Sequence, residues 1–270
     1  MARRRRGTLG TFGAKKGVEV YSSGWPNAKS QDPGDPAGPP STPVGGPGRV
    51  YTPIMHTLDM VSGRPFDSAI AAADRALRSV FAPAHSTRPP PGPAAADTPL
   101  PESERRTAAA LMRVNHTGEL AAQALYHGQA FLARSERTRA LLLQAARAES
   151  DHLAWCETRL QELATRPSLL NPFWYAGSFA IGALAALAGD RASLGFVAET
   201  ERQVEGHLDA HLGRLPASDV RSRAILETMR AEEIAHGATA TSAGGVPLPG
   251  PVRALMRRTA AVMTGTAYWI

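Results

Sequence analysis

Two short stretches of this sequence set a carboxylate and an imidazole three residues apart: Glu149 and His152 in ARAESDHLAW, and Glu233 and His236 in MRAEEIAHG. On a helix such residues share a face, so each pair can turn one oxygen and one nitrogen ligand toward a common point. A single pair is an ordinary accident of an exposed helix. Two pairs match a di-metal carboxylate bundle, in which two helices each give Glu-x-x-His and two others each give a single Glu. Glu119, in the apolar stretch MRVNHTGELAAQALYHGQ, is the candidate for the first lone carboxylate. FVAETERQVEGHLDAH holds the second, and spacing alone does not separate Glu201 from Glu199 or Glu205. With Glu201, 30 residues separate Glu119 from Glu149 and 32 separate Glu201 from Glu233, as a duplicated helical hairpin would give.

Four carboxylates and two imidazoles without a thiolate suit iron, a metal that must reach a higher oxidation state. Their charge balances two divalent ions, whereas unpaired buried carboxylates would be costly. The remaining candidates have plainer readings. His116, three before Glu119, reads as a capping or hydrogen-bonding neighbour, and His127 as structural. His207 and His211 share a face, and a hydrogen bond to a ligand is the most His207 offers. Glu205 and Glu232 read as solvent-facing partners of arginines.

The elements that must position these groups are helices. Of 22 prolines, 16 fall in residues 1–101, so 102–270 can be helical and most of 1–101 cannot. Apolar periodicity predicts helices over 66–82, 102–134, 136–164, 172–213, 218–240 and 251–267. Four long and two shorter helices make an all-α fold: a bundle at 102–270, preceded by a short amphipathic helix and Pro-rich linker at 55–101. Residues 1–54, with DPGDPAGPPSTPVGGPG, read as low-complexity and disordered, and Met55 or Met60 is a candidate natural first residue.

Charge and cysteine narrow the function classes. The formal net charge is +6, but residues 1–50 hold eight basic residues against three acidic ones, a net +5 that leaves +1 for the rest. The body therefore has no basic stripe for nucleic acid. The lone Cys156 excludes an intramolecular disulfide framework and reads as a small buried hydrophobe in a reducing compartment. Arg3–Arg6 is followed by polar, Gly-rich sequence rather than an apolar core, so no secretory signal is expected. The run Phe173–Ala188 is free of charge yet shorter than the about 20 residues of a spanning helix. It reads as a helix lying in a membrane interface, assisted by Arg253, Arg257, Arg258 and Trp269 near the C-terminus.

The stretches LMRVNHTGELAAQALYHGQ, ESDHLAWCETRLQEL, RPSLLNPFWYAGSFAIGALAAL, ETERQVEGHL and MRAEEIAHG, in that order, resemble the demethoxyubiquinone hydroxylase family over about residues 66–270. The resemblance implies a ferritin-like four-helix bundle with extra short helices around a di-iron carboxylate centre. It implies that Glu119, Glu149 and His152 bind one iron and Glu201, Glu233 and His236 the other, with Glu149 and Glu233 bridging. It selects Glu201 over Glu205 and sets His207 beside the ligands. Leu208 stands where some members have tyrosine, so that tyrosine's role does not carry over. The implied reaction is hydroxylation of the ring of 2-polyprenyl-3-methyl-6-methoxy-1,4-benzoquinol with dioxygen, in ubiquinone biosynthesis. Its partners would be the polyprenyl benzoquinol, O2, an electron donor such as NADH or the quinol pool, a membrane surface and other ubiquinone-biosynthesis proteins. The implied location is peripheral, on the cytoplasmic face of the cell membrane. Another ferritin-like di-iron protein, a ferroxidase or iron store, is the competing class, but an iron store has no use for the charge-free Phe173–Ala188 stretch. A helical membrane scaffold with incidental Glu and His is a third class and predicts no metal.

Overall fold

The computed structural model describes residues 65–92 and 99–270, and the expected disordered stretch 1–54 lies outside them. Among the described residues there are seven α-helices and no strand: α1 Pro65–Phe81, α2 Glu102–Leu132, α3 Glu136–Glu162, α4 Asn171–Leu187, α5 Asp190–Arg214, α6 Val220–Ser242 and α7 Gly250–Ala267. The one departure from the sequence expectation is the segment 172–213, which is two helices rather than one. Gly189 takes φ 96°, a left-handed conformation that glycine adopts without steric cost, and the chain turns there. Asp190 then accepts the Arg134 and Ser135 backbone N–H groups at 2.9 and 3.0 Å, tying the start of α5 to the α2–α3 turn.

Helices α2, α3, α5 and α6 form the bundle. The α2–α3 and α5–α6 hairpins pack so that α2 touches α3 and α5 while α6 touches α5 and α3. Helix α4 joins the hairpins and lies along the outer side of α2, α7 crosses α2 and α5, and α1 rests on α2 and α4. Caps fix the ends. Ser135 Oγ accepts from Thr138 N at 3.1 Å to start α3, and Asp219 does the same for Ser222 N at 2.9 Å to start α6. Asp219 also takes a 2.9 Å bond from the buried Arg159, so the capping carboxylate is paired inside the fold.

The apolar core is divided. Leu111, Met112, Trp155, Leu160, Leu208, Ile225 and Met229 fill one part, and Tyr126, Leu142, Ala145, Ala146, Val197 and Ala240 another. Along each bundle helix the candidate metal residues fall between those two sets. The polar centre is thus sealed from both ends by tightly packed side chains, and Cys156 is fully buried in the first set, as expected for a small hydrophobe.

Helix α4 reaches α2 more closely than side chains would allow. A Cβ at Gly128 would strike the Phe179 carbonyl oxygen, and a Cβ at Gly182 would strike that of Leu125. Each glycine meets the other helix's backbone, which cannot swing aside. Gly182→Ala is therefore expected to destabilise the fold by about 1–3 kcal/mol, the usual cost of overpacking, despite the better helix propensity of alanine. Urea unfolding checks this; an unchanged or raised midpoint would contradict the close crossing.

Candidate metal centre

Helical spacing alone puts Glu149 with His152 on one inward face of α3, and Glu233 with His236 on one inward face of α6. Glu119 of α2 and Glu201 of α5 complete the ring. All six side chains are buried, at 3% exposure or less. Their ligand atoms form two groups in which all atoms lie within 4.8 Å of one another: Glu119, Glu149, His152 and Glu233, and Glu149, Glu201, Glu233 and His236. Glu149 and Glu233 belong to both, as bridging carboxylates would.

The atoms divide accordingly. His152 Nδ1 lies 3.1 Å from Glu149 Oε2 and 2.9 Å from Glu233 Oε1. His236 Nδ1 lies 3.5 Å from Glu149 Oε1 and 3.3 Å from Glu233 Oε2. Each shared carboxylate thus turns one oxygen to each imidazole. Oε1 of Glu149 and Oε1 of Glu233 are buried without accepting a hydrogen bond. A buried acceptor left without a partner is costly, and two such oxygens within a cluster of four buried carboxylates fit a bound cation pair. The residues fit two divalent ions.

The outer contacts differ between the halves. The Tyr126 hydroxyl, fully buried, donates to Glu201 Oε1. On the other side, His152 Nε2 is 2.9 Å from Glu232 Oε2, and Glu232 is clamped in turn by Arg88 Nη1 and Nη2 at 2.7 and 2.9 Å. Glu232 is therefore not the solvent-facing residue expected from the sequence. It does pair with an arginine, but its side chain is only 13% exposed and its inner oxygen holds the imidazole. Sequence reasoning missed Glu232, Arg88 and Tyr126. The usable signal for Glu232 was its place one residue before Glu233, a step of about 100° round the helix that turns it toward the neighbouring α3 rather than away from the bundle.

The other histidines stay apart from the ligand groups. His116 is buried with Nδ1 3.4 Å from Asn171 Nδ2, and His127 Nδ1 is 2.8 Å from the Tyr175 hydroxyl. His207 packs against His211 with ring centroids 3.9 Å apart and the planes tilted by 56°, and its Nε2 is buried without a hydrogen-bond partner. It lines a pocket of about 850 Å3 enclosed by α2, α4, α5 and α7. Leu125, Phe173, Ile181, Val204, Leu255 and Met256 give that pocket apolar walls, and at its inner end lies Glu119. Of the six candidate ligands, Glu119 is the one in the pocket lining.

Burial, with the charges of Glu233 and Glu149, pushes the Glu119 carboxyl up to about 8 and that of Glu201 well above the ordinary range. Burial alone would lower His236, but Glu149 and Glu233 raise it to about 10, and His152 is held well above its usual value against burial by Glu119, Glu149, Glu232 and Glu233. Against the same burial, the two imidazoles hold Glu233 well below the carboxylate range. In the metal-free centre these shifts favour the protonated forms of both imidazoles, Glu119 and Glu201. Metal ligands must shed such protons, so binding divalent ions should release protons and tighten as pH rises. Titrating metal into weakly buffered protein with a pH indicator measures this; binding without proton release would contradict the assignment.

The family model for the ubiquinone biosynthesis protein COQ7 matches residues 106–267. The chain is similar to the 3-demethoxyubiquinol 3-hydroxylase of Burkholderia thailandensis, with 57% identity over 206 residues, 76% of this chain and 99% of that protein. The protein of the same name from Bordetella pertussis is 58% identical over 208 residues, 76% and 93% of the two chains. That of Polynucleobacter asymbioticus is 58% identical over 205 residues, 76% and 98%.

Proposed function

The chain belongs to the COQ7 family of ubiquinone biosynthesis, and from that premise we propose that it is a 3-demethoxyubiquinol 3-hydroxylase, a monooxygenase that adds a hydroxyl to the benzoquinol ring with O2. The observation that carries the reading is the pairing of a buried Glu/His centre with an apolar pocket that ends on Glu119. A quinol ring with a polyprenyl tail is an apolar, elongated ligand, and a pocket of this kind buries most of such a surface while a few polar groups orient the head.

The metal in this reading is iron, two ions per chain. Glu119, Glu149 and His152 would hold one ion, Glu201, Glu233 and His236 the other, with Glu149 and Glu233 shared. Bound iron would supply the redox change and the oxygen-binding position that no side chain here provides. The protein's part is to place and shield. Glu119 marks the ion nearest the ring, and the apolar walls keep water from the reacting carbon. Tyr126 occupies one oxygen of Glu201, which leaves the other for its metal. His207, on the pocket wall with a free Nε2, is suited to a hydrogen bond with the quinol head or with a ligand. The electrons come from a donor such as NADH or the quinol pool.

A substrate with a polyprenyl tail resides in the bilayer, and the exterior supports a peripheral site there. Among the described residues no helix is long and apolar enough to cross a membrane. Helix α4 nevertheless exposes Phe173, Leu184 and Leu187, and α7 exposes Leu255 and Val262, with Trp269 just beyond. Apart from Trp269, these lie on two of the four helices that wall the pocket. Arg253, Arg257 and Arg258 on α7 suit anionic headgroups, which are enriched on the cytoplasmic face. In this reading the domain boundary falls near residue 101, with 102–270 as the catalytic bundle and residues 55–101 as its helical and Pro-rich lead.

Complementation tests the chemistry. A strain that lacks this step and accumulates demethoxyubiquinone should make ubiquinone when given the full chain, while Glu233→Ala should fail with its helical circular dichroism largely intact. Normal quinone output from the variant would remove the assigned role. Vesicle sedimentation tests the membrane reading: the double variant Phe173→Asp, Leu184→Asp should bind phosphatidylglycerol vesicles at least about tenfold more weakly, since each buried apolar side chain contributes about 1.5–3 kcal/mol. Binding equal to that of the unaltered chain would refute it.

A further inference from the structure

The segment after α1 is more than a connection. Residues 82–92 cross the outside of α3 and α6 as a strap, bonded to both at successive points. Ala84 N donates to Glu157 Oε2 at 2.9 Å, and Ser86 Oγ and Thr87 N donate to Asp151 Oδ1 at 2.9 and 2.7 Å. Trp155 Nε1 donates to the Arg88 carbonyl at 3.2 Å, and Arg221 Nη1 reaches the Pro91 and Gly92 carbonyls at 3.2 and 3.0 Å. Arg88 sits at the middle. Its Nε bonds Asp151 Oδ2 at 2.7 Å, its two terminal nitrogens take both oxygens of Glu232, and its guanidinium lies 4.7 Å from the centre of the Trp155 ring.

That geometry leads inward in two steps. A carboxylate gripped by both prongs of a guanidinium has little rotational freedom, because the planar fork fixes both oxygens at once. Glu232 Oε2 is thereby held 2.9 Å from His152 Nε2. With Nε2 engaged as donor, Nδ1 is the nitrogen left to coordinate a metal once its proton is shed, and Nδ1 is the atom that faces Glu119, Glu149 and Glu233. The group containing His152 is also the one that contains Glu119, the residue on which the pocket ends.

We propose that Arg88 is a positioning residue: acting through Glu232, it fixes the tautomer and tilt of His152 and so shapes the one metal position that faces the pocket. The proposal rests on the metal reading above. The hydrogen bond that Glu232 makes to an imidazole goes to His152, in the position that contains Glu119. Arg88 thus makes the two positions unequal, and it does so from outside the bundle and 31 residues before the first candidate ligand.

Metal-free full-length chain titrated with cobalt(II) under anaerobic conditions, followed by calorimetry and visible absorption, tests this without any turnover. The unaltered chain should take up two ions. Arg88→Ala should weaken one of them by about 10–100-fold, the usual cost of losing a group that orients a ligand, and leave the other unchanged. Arg88→Lys, which keeps the charge and loses the fork, should fall between. Glu157→Ala loosens the strap at Ala84, four residues before Arg88, without touching the Arg88–Glu232 pair, and it should bind both ions as the unaltered chain does. If Arg88→Ala binds both ions at full affinity, or weakens both equally, Arg88 merely fastens the strap and the proposal is overturned. Should Arg88→Ala not fold, Glu232→Ala takes its place: selective loss of one ion supports the proposal, and two ions at full affinity overturn it. An unaltered chain that binds no cobalt would instead sink the metal reading itself, which separates the two failures.

Discussion

Four carboxylates and two imidazoles buried together inside a helical bundle are the constraint to which the rest of the structure answers. Uncompensated, they would oppose folding, since each ionised group loses its hydration on entering the core. The metal-free chain meets this by protonation: Glu119 and Glu201 are pushed up by burial while Glu233 is held down by two raised imidazoles. The same six groups, stripped of those protons, match two divalent ions in charge. The bundle is thus stable enough to form around an unfavourable centre because large aliphatic and aromatic side chains pack on one side of it and a tight, alanine-rich set on the other.

The two halves repeat in sequence but not in surroundings. Each hairpin contributes one lone Glu and one Glu-x-x-His, and each shared carboxylate turns one oxygen to each histidine. Past those ligands the likeness ends. Glu201 is held by a buried tyrosine, whereas Glu119 borders an apolar pocket and its partner His152 is held by Glu232 under the strap. A reaction that must admit a bulky ring on one side and exclude water on the other needs such inequality between otherwise equivalent metal positions.

Much of this was legible in the sequence, for identifiable reasons. Helical period and ligand spacing are local properties, so the two Glu-x-x-His pairs and the run of helices followed from residue types three and four apart, while Glu201 was set apart from Glu205 only by the family resemblance. Two features were hidden because they depend on contacts across the fold. The stretch 172–213 read as one helix because alanines favour helix on both sides of Gly189, and only the backbone dihedral there marks the turn. Glu232 read as a surface acid because its partners, His152 and Arg88, are 80 and 144 residues distant in the chain. Arg88 itself sits before a proline run that signals an end to helix and says nothing of what the extended segment will touch.

The backbone-to-backbone seating of α4 on α2 at Gly128 and Gly182 has a bearing on where the reaction occurs. Helices that meet through glycine approach closer than the usual 8–10 Å between axes, and they move as one body. The surface that α4 would rest on lipid and the helix that carries Glu119 are therefore a single rigid plate about one helix thick. On the membrane reading proposed above, the helix facing lipid and the helix bearing Glu119 would then keep a fixed separation, because neither can be drawn closer to the other without a clash of backbones.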